Sequence, residues 1–240
     1  MTRSTGALIV CLALIGCGSP EQPDASAAST SSSAAIRSLA PSKHSQAFAP
    51  EGMVEQAAIW KVSAIPVCWE PNDHSSAAAR RWTQEAVESS WEAHSSIDFK
   101  GWGNCSPASR GIRIGVEDAR AQTVALGRKL DGVRRGMRLN FTMNHWNKAC
   151  RDAAGLEKCV RVVAVHEFGH ALGLVHEQNR QETASIAGDD CARKEDGTEG
   201  DRPLTPWDLS SVMNYCNPIY GNDGELSKFD IVSIQALYGV

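Results

Sequence analysis

One segment, residues 166–176, constrains this chain more than any other, because it sets three histidines in a fixed pattern. It reads His-Glu-Phe-Gly-His-Ala-Leu-Gly-Leu-Val-His. His166 and His170 are four residues apart, so on a helix both imidazoles lie on one face and can reach one metal ion. Gly173 has no side chain and lets the backbone turn sharply, which brings His176 back as a third ligand. Three imidazole nitrogens with an open fourth position are the ligand set of one catalytic zinc ion.

Glu167 lies one step round the helix from His166, so its carboxylate lies beside the predicted ligands without joining them. Zinc lowers the pKa of a bound water toward about 7, and a neighbouring carboxylate can then take a proton from that water. The same carboxylate can pass the proton to the leaving amine. The segment therefore predicts zinc-dependent hydrolysis of peptide bonds, with Glu167 as general base. Two solvated histidines on an exposed helix, without metal, are the plain alternative.

The first part of the segment lies at the end of a helix predicted over residues 156–172, where apolar residues recur at helical spacing. They are Val160, Val163, Ala164, Phe168, Ala171 and Leu172. Gly173 then ends the helix, as glycine often does just past a helix C-terminus. The remaining histidines have no partners at ligand spacing, so we predict no metal at His44, His74, His94 or His145.

The beginning of the chain predicts export. Met1-Thr2-Arg3 is a short positive region, and residues 7–15 are an apolar stretch too short to span a bilayer as a mature helix. The stretch ends Leu14-Ile15-Gly16-Cys17, which resembles a bacterial lipobox, where Cys17 is acylated and becomes the first mature residue. We therefore predict a lipoprotein signal peptide over residues 1–16 and a lipid anchor at Cys17 in the membrane of the cell envelope. An ordinary cleaved signal that contains cysteine is the alternative.

Residues 17–50 are rich in Ser, Ala and Pro and hold few bulky apolar side chains. Such a segment buries too little surface to offset its ordering entropy, which predicts a lipidated, flexible tether. The catalytic domain is then expected over residues 51–240. The net charge of −4 and the lack of a dense Lys/Arg run argue against nucleic acid as a partner. We expect a monomer that acts on proteins or peptides.

Six of the eight cysteines remain if Cys11 leaves with the signal and Cys17 carries lipid. An even number in an exported chain predicts disulfides, whereas the absence of any Cys-x-x-Cys pair disfavours a thiolate zinc cluster. Sequence alone does not choose among the pairings. Local order suggests Cys68 with Cys105, Cys150 with Cys159, and Cys191 with Cys216.

The other periodic segments predict a sheet with helices packed on it. Strands are predicted at residues 64–69, 97–102, 111–117 and 136–142. Asp73 or Ser75 can cap a helix over about residues 76–95, and Ser227-Lys228-Phe229-Asp230 resembles a capping box that starts a C-terminal helix. A strand, a helix and further strands in this order predict an α+β fold.

A second motif, Ser211-Val212-Met213-Asn214-Tyr215, follows the histidine segment. The two motifs together resemble the metzincin zinc metalloproteases, in which the second forms a tight Met-turn beneath the metal. The resemblance implies that Met213 supports the histidines without binding zinc. Met-x-Tyr, as in astacins and serralysins, further implies that Tyr215 can approach the zinc as a fifth ligand and help stabilise the tetrahedral intermediate.

Outside these motifs, the sequence resembles two different branches of the metzincins. Residues 176–180 are similar to the astacin extension after the third histidine, whereas residues 226–239 look like a matrixin C-terminal helix. In astacins the glutamate that matches Glu177 contacts the mature N-terminus. A lipidated, distant terminus cannot make that contact, so we expect Glu177 to have another partner. Neither a cysteine switch nor an aspartate switch is evident before the domain.

The resemblance implies a metzincin-like fold, in which a twisted, mostly parallel sheet and two helices form the N-terminal lobe. A zinc cleft separates this lobe from a small irregular C-terminal lobe that ends in a helix, and an extended substrate lies antiparallel to an edge strand. The leading hypothesis is an exported, lipid-anchored zinc metalloendopeptidase. The alternative is a non-catalytic, zinc-stabilised envelope lipoprotein that binds peptides. Glu167 and Tyr215 argue against it, because a purely structural zinc site does not need them.

Overall fold

The computed structural model describes residues 53–71, 76–146, 148–194, 196–197 and 200–240. The predicted signal peptide, the predicted tether and Cys17 lie outside the described residues. Among the helices that are described, none is both long enough and apolar enough to cross a membrane.

A five-stranded sheet forms the centre of the N-terminal lobe. The strands of the described residues are β1 (Met53–Val54), β2 (Ala64–Trp69), β3 (Asp98–Asn104), β4 (Ile112–Val116), β5 (Gln122–Thr123), β6 (Met137–Leu139) and β7 (Arg202–Pro203). The sheet has the order β3-β2-β4-β6-β5, and β1 pairs separately with β7. Its first four strands are parallel and β5 runs antiparallel to β6 at the edge. All five residues of β4 are buried, as expected for a strand covered on both faces.

The helices are α1 (Ala77–Ser90), α2 (Ala153–Ala171), α3 (Thr183–Ala187), α4 (Asp189–Ala192) and α5 (Lys228–Tyr238). Ser76 caps α1, since its side chain accepts a hydrogen bond from the backbone N–H of Ala79. The expectation that Asp73 or Ser75 caps this helix was therefore wrong. The hydroxyl next to the first helical residue is the one that reaches an unpaired N–H.

The core lies between the sheet and helices α1 and α2. Phe168 of α2 meets Phe99 of β3 edge to face, with ring centroids 4.9 Å apart. Trp91, which ends α1, is buried and donates from its indole N–H to the carbonyl oxygen of Val165 at 2.9 Å. These contacts fix α2 against both the sheet and α1, and α2 carries the histidine segment.

The carboxylate of Asp230 joins helix α5 to the segment before it. Ser227 and Asp230 form the predicted capping box. Asp230 also accepts hydrogen bonds from the Ser211 hydroxyl at 2.6 Å and from the Val212 N–H at 3.0 Å. The cap of the last helix therefore also holds the segment that was predicted to form the Met-turn.

Strand β1 lies against the turn that follows α2. The N–H of Glu55 donates to the carbonyl oxygen of Gly173, and the N–H of Val175 donates to that of Met53, both at 3.1 Å. The beginning of the described chain is thus bonded to both sides of the turn between His170 and His176.

Three disulfides join Cys68 to Cys105, Cys150 to Cys159, and Cys191 to Cys216, which are the predicted pairs. The predicted strand over 136–142 is shorter than expected. The Asn140 side chain accepts hydrogen bonds from the N–H groups of Thr142 and Met143, both at 2.9 Å, and this local turn ends β6. Strand β5 was not predicted.

Candidate active site

Helix α2 presents the first two histidines and then stops at a glycine. Asp152 caps its beginning by accepting from the N–H of Gly155 at 2.8 Å. At its end Gly173 adopts a φ of +100°, a value that L side chains rarely take. The N–H of Leu174 then donates back to the carbonyl oxygen of Gly169 at 3.0 Å, which closes the turn and directs the chain toward His176.

The three histidines converge as predicted. His166, His170 and His176 are all buried, and their ligand atoms lie within 4.8 Å of one another. The Nε2 of His176 lies 3.2 Å from that of His166 and 3.0 Å from that of His170.

The opposite nitrogen of each ring contacts a main-chain carbonyl oxygen. The Nδ1 atoms of His166, His170 and His176 face the oxygens of Val212, Leu174 and Asp196 at 2.8, 2.9 and 2.7 Å. A carbonyl oxygen only accepts, so each Nδ1 carries the ring proton and each Nε2 presents a lone pair. Three lone pairs this close repel one another unless a cation lies between them. The donor set therefore fits a zinc ion.

The surroundings also keep the three rings neutral, as metal ligands must be. Burial lowers the pKa of His166 to about 3, with a further contribution from His176. Burial likewise holds the pKa of His170 well below its usual range and lowers that of His176. The lone pairs are thus available to a metal at neutral pH.

Glu167 is buried among these residues, and its carboxylate accepts a hydrogen bond. The hydroxyl of Thr123, on the edge strand β5, donates to Oε2 of Glu167 at 2.7 Å. Burial raises the pKa of Glu167 to about 7, and the hydrogen bond from Thr123 acts in the opposite direction. A carboxyl group with this pKa can take up and release a proton near neutral pH.

Tyr215 lies beside the ligands. Its ring is stacked on His166 with centroids 5.3 Å apart, and it lies 4.4 Å from the ring of His176. The phenol oxygen is 3.4 Å from Nε2 of His166, the nitrogen on the metal side of that ring. Burial raises the pKa of Tyr215, so its hydroxyl keeps its proton at neutral pH.

Met213 is buried, and its sulfur lies against Gly169 of α2. A Cβ atom on Gly169 would come within 2.4 Å of the Met213 sulfur, so only glycine allows this approach. The carbonyl oxygen of Met213 also accepts from the N–H of Glu177 at 3.1 Å. Met213 thus supports both the helix and the residue that follows the third ligand.

A cleft of about 440 Å³ opens above this cluster. Its walls include Glu167, His170, His176 and Tyr215 on one side and residues 120–126, which contain β5, on another.

The carboxylate of Glu177 has partners in the described part of the chain. It lies 3.3 Å from the Arg180 guanidinium and accepts from the N–H of Asp208 at 3.1 Å. Burial raises its pKa to about 7, against the effect of Arg180. These contacts tie the residue after the third ligand into the C-terminal lobe.

Several residues of the site had no signal of their own in the sequence. Thr123 reaches Glu167 from a strand of two residues, and the carbonyl oxygen of Asp196 reaches His176 from a loop. Neither residue belongs to a motif with fixed spacing. Only the sheet order and the loop path bring them to the site.

Comparison with known proteins agrees with this geometry. Residues 155–229 match the family model of the Astacin peptidase family, a range that includes the zinc ligands and the Met-turn. This chain is a zinc metalloendopeptidase. The predicted resemblance to the metzincins is thereby confirmed, and the matching region is of the astacin type. Helix α5, which looked like that of a matrixin, lies almost wholly beyond the matched range.

Solved structures of myroilysin have the same fold as this chain. A structure of myroilysin is 18% identical with a TM-score of 0.54, over 79% of this chain and 99% of that one. A crystal structure of myroilysin is 17% identical with a TM-score of 0.52, over 77% of this chain and 87% of that one. A third structure is that of high choriolytic enzyme 1, a hatching enzyme zinc-protease from the medaka fish Oryzias latipes. It is 20% identical with a TM-score of 0.47, over 76% of this chain and 94% of that one. No curated protein sequence matches the chain significantly. The predicted α+β, metzincin-like fold is confirmed.

Proposed function

We propose that Glu167 is the general base of this peptidase and that Tyr215 stabilises the transition state. The observation that carries the proposal is the shared cleft, into which Glu167, Tyr215 and two of the three zinc ligands open. When bound at the three histidines, zinc would supply a Lewis acid that polarises the scissile carbonyl and acidifies water.

The protein groups then divide the proton chemistry and the charge. Glu167 takes a proton from the attacking water and delivers it to the leaving amine. Thr123 holds the Glu167 carboxylate by its hydrogen bond. Tyr215 keeps its proton and donates a hydrogen bond to the oxygen on which negative charge develops.

The substrate class follows from the edge strand. Because β5 is the last strand of the sheet, its outer edge carries main-chain groups that a further strand can bind. Residues 120–126 also line the cleft. An extended segment of a protein or peptide, antiparallel to β5, would place a peptide bond over the zinc site.

The Glu167→Ala variant tests the base assignment. We expect kcat/KM on a denatured protein to fall at least about 100-fold, since general acid–base catalysis typically contributes that much. Zinc content, measured by mass spectrometry, should stay that of the wild type, and a chelator should stop wild-type cleavage until zinc is restored.

Glu157→Ala is the matched control, because Glu157 is on the same helix but pairs with Arg161 away from the cleft. Wild-type rates in Glu167→Ala would refute the base assignment. A zinc-loaded wild-type chain that binds peptides but cleaves none would favour the alternative, a zinc-stabilised binding protein.

We further propose that the peptidase is exported and anchored to the bacterial envelope by lipid on Cys17. The apolar stretch that ends in Leu-Ile-Gly-Cys and the three disulfides of the folded part support this. In a bacterial host, labelled fatty acid should enter the wild-type chain and not the Cys17→Ser variant. Equal labelling of both would contradict the anchor.

A further inference from the structure

Two buried amide side chains lie directly behind the third ligand. Gln178 and Asn179 are 1% and 2% exposed and take no part in the proposed proton chemistry. A buried amide is costly unless its donor and acceptor atoms are bonded, so the partners of these two residues show what they hold in place.

Asn179 holds the main chain of Asp196 at both of its polar groups. Its Nδ2 donates to the carbonyl oxygen of Asp196 at 2.7 Å, and its Oδ1 accepts from the Asp196 N–H at 3.0 Å. The same carbonyl oxygen accepts from Nδ1 of His176 at 2.7 Å. Asn179 therefore fixes the acceptor that sets the ring orientation of His176.

Gln178 holds the main chain of Tyr215 in a similar way. Its Oε1 accepts from the Tyr215 N–H at 3.0 Å, and its Nε2 donates to the carbonyl oxygen of Lys194 at 3.3 Å. Lys194 in turn donates from Nζ to the carbonyl oxygen of Tyr215 at 3.1 Å. The Tyr215 N–H is thus bonded directly to this amide, and the Tyr215 carbonyl oxygen is bonded to Lys194, whose main chain the same amide holds.

The other contacts of the segments around Asp196 and Tyr215 are weaker candidates for positioning His176 and Tyr215. Arg120 forms an ion pair with the Asp196 carboxylate, and the two side chains are 65% and 42% exposed. Ion pairs as exposed as this one contribute little to stability. The disulfide between Cys191 and Cys216 limits the separation of the two segments but does not set the direction of a carbonyl group or a ring.

We infer that Gln178 and Asn179 are positioning residues with separate tasks, in which Asn179 orients His176 through the carbonyl of Asp196 and Gln178 sets Tyr215 against the ligands. The task of Gln178 rests on the proposed function of Tyr215. The task of Asn179 concerns metal affinity and does not depend on it.

The two residues serve as each other's control in the full-length protein. Asn179→Leu should weaken zinc binding about 10- to 100-fold in competition with a chelator, the usual cost of losing a group that orients a ligand. It should also change the visible spectrum of the cobalt-substituted protein. Gln178→Met should leave zinc affinity within about threefold, while kcat falls about tenfold with little change in KM.

The Gln178→Glu variant, which keeps an oxygen for the Tyr215 N–H, should recover most of kcat. If Asn179→Leu does not fold, as judged by circular dichroism, Asn179→Ser takes its place, because serine is too short to reach both groups of Asp196.

Wild-type zinc affinity and an unchanged cobalt spectrum in the Asn179 variants would overturn the inference. Equal losses of zinc affinity and of kcat in Asn179→Leu and Gln178→Met would overturn it as well. A wild-type chain that binds zinc but hydrolyses no peptide contradicts the proposed function and the task of Gln178 with it. The zinc measurement still decides the task of Asn179 in that case.

Discussion

The hydroxyl of Thr123 influences the charge of the proposed base more directly than any other side chain outside the zinc motif. Burial raises the pKa of Glu167 to about 7, and the hydrogen bond from Thr123 lowers it from the value that burial alone would produce. The hydroxyl therefore increases the ionised fraction of Glu167 at neutral pH.

The Thr123→Val variant should move the acidic limb of the kcat/KM profile to higher pH. Glu167 must be ionised to act as a base, so activity rises as pH passes through its pKa, and loss of the stabilising hydrogen bond raises that pKa. A hydrogen bond to a charged group contributes about 1.5 kcal/mol or more, so we expect about a tenfold loss near pH 7.

Thr142→Val is the control for this measurement, because Thr142 is exposed and lies outside the cleft. An acidic limb at the wild-type position in Thr123→Val would show that the hydroxyl has no influence on the base.

The residues that sequence could predict at the site are those with fixed spacing. His166, His170 and His176 are positioned by one helix and one glycine turn, so local geometry is enough to bring them together. Thr123 comes from a strand distant in the chain and meets Glu167 only because β5 turns back along β6. A contact of that kind depends on the order of strands, which no local pattern encodes.

At the scale of elements, the C-terminal helix and the Met-turn act as one unit. Asp230 caps α5 through Ser227 and also accepts from Ser211 and Val212. The carbonyl oxygen of Val212 is the acceptor for Nδ1 of His166. Burial raises the pKa of Asp230 while these donors lower it, so the ionised carboxylate depends on all of them.

The Asp230→Ala variant should lower the free energy of unfolding by about 2–4 kcal/mol, because several buried donors lose their acceptor. Zinc affinity should also fall, since Val212 is no longer held beside His166. Urea unfolding of the zinc-free protein and chelator competition measure the two effects.

Asp223→Ala is the control, because Asp223 lies in the same lobe but is half exposed and pairs with Lys158. Equal stability of the two variants would contradict the role given to the cap of α5.

Long elements were predicted better than short ones, and the reason is the length of the signal. Helix α2 has an apolar face over many residues and a glycine at its end, so both its existence and its end were predicted correctly. Strand β5 has two residues, one of them exposed, which is too short for any alternation to be recognised. The early end of β6 depends on the side chain of Asn140, an effect that apolar patterning does not reveal.

For the whole molecule, the disulfides close loops of different length. Cys68 and Cys105 are 37 residues apart, whereas Cys150 and Cys159 are separated by 9. If disulfides act mainly by restricting the unfolded chain, the longer loop provides more stability, by about 1 kcal/mol.

Removal of the Cys68–Cys105 pair by a double alanine substitution should therefore lower the free energy of unfolding more than removal of the Cys150–Cys159 pair. Urea unfolding of the zinc-free variants, compared with the reduced wild type, checks the order. The opposite order would mean that packing in the folded state, and not loop length, decides the contribution.

The fold class could be predicted because two motifs of the sequence resemble those of the metzincins. The matched range, residues 155–229, spans both motifs. The short helices α3 and α4 of the C-terminal lobe could not be predicted, because they are held by a disulfide and by loop contacts more than by an apolar face.

Strand β1 and the residue after it link the beginning of the described chain to the turn between His170 and His176. The carbonyl oxygen of Met53 accepts from the N–H of Val175, and the N–H of Glu55, just after β1, donates to the carbonyl oxygen of Gly173. A load applied at Met53 therefore reaches the turn between two zinc ligands before it reaches the five-stranded sheet. Tension at Met53 would act first on the turn between His170 and His176, and a shortened chain that begins after Glu55 would lose both of these hydrogen bonds.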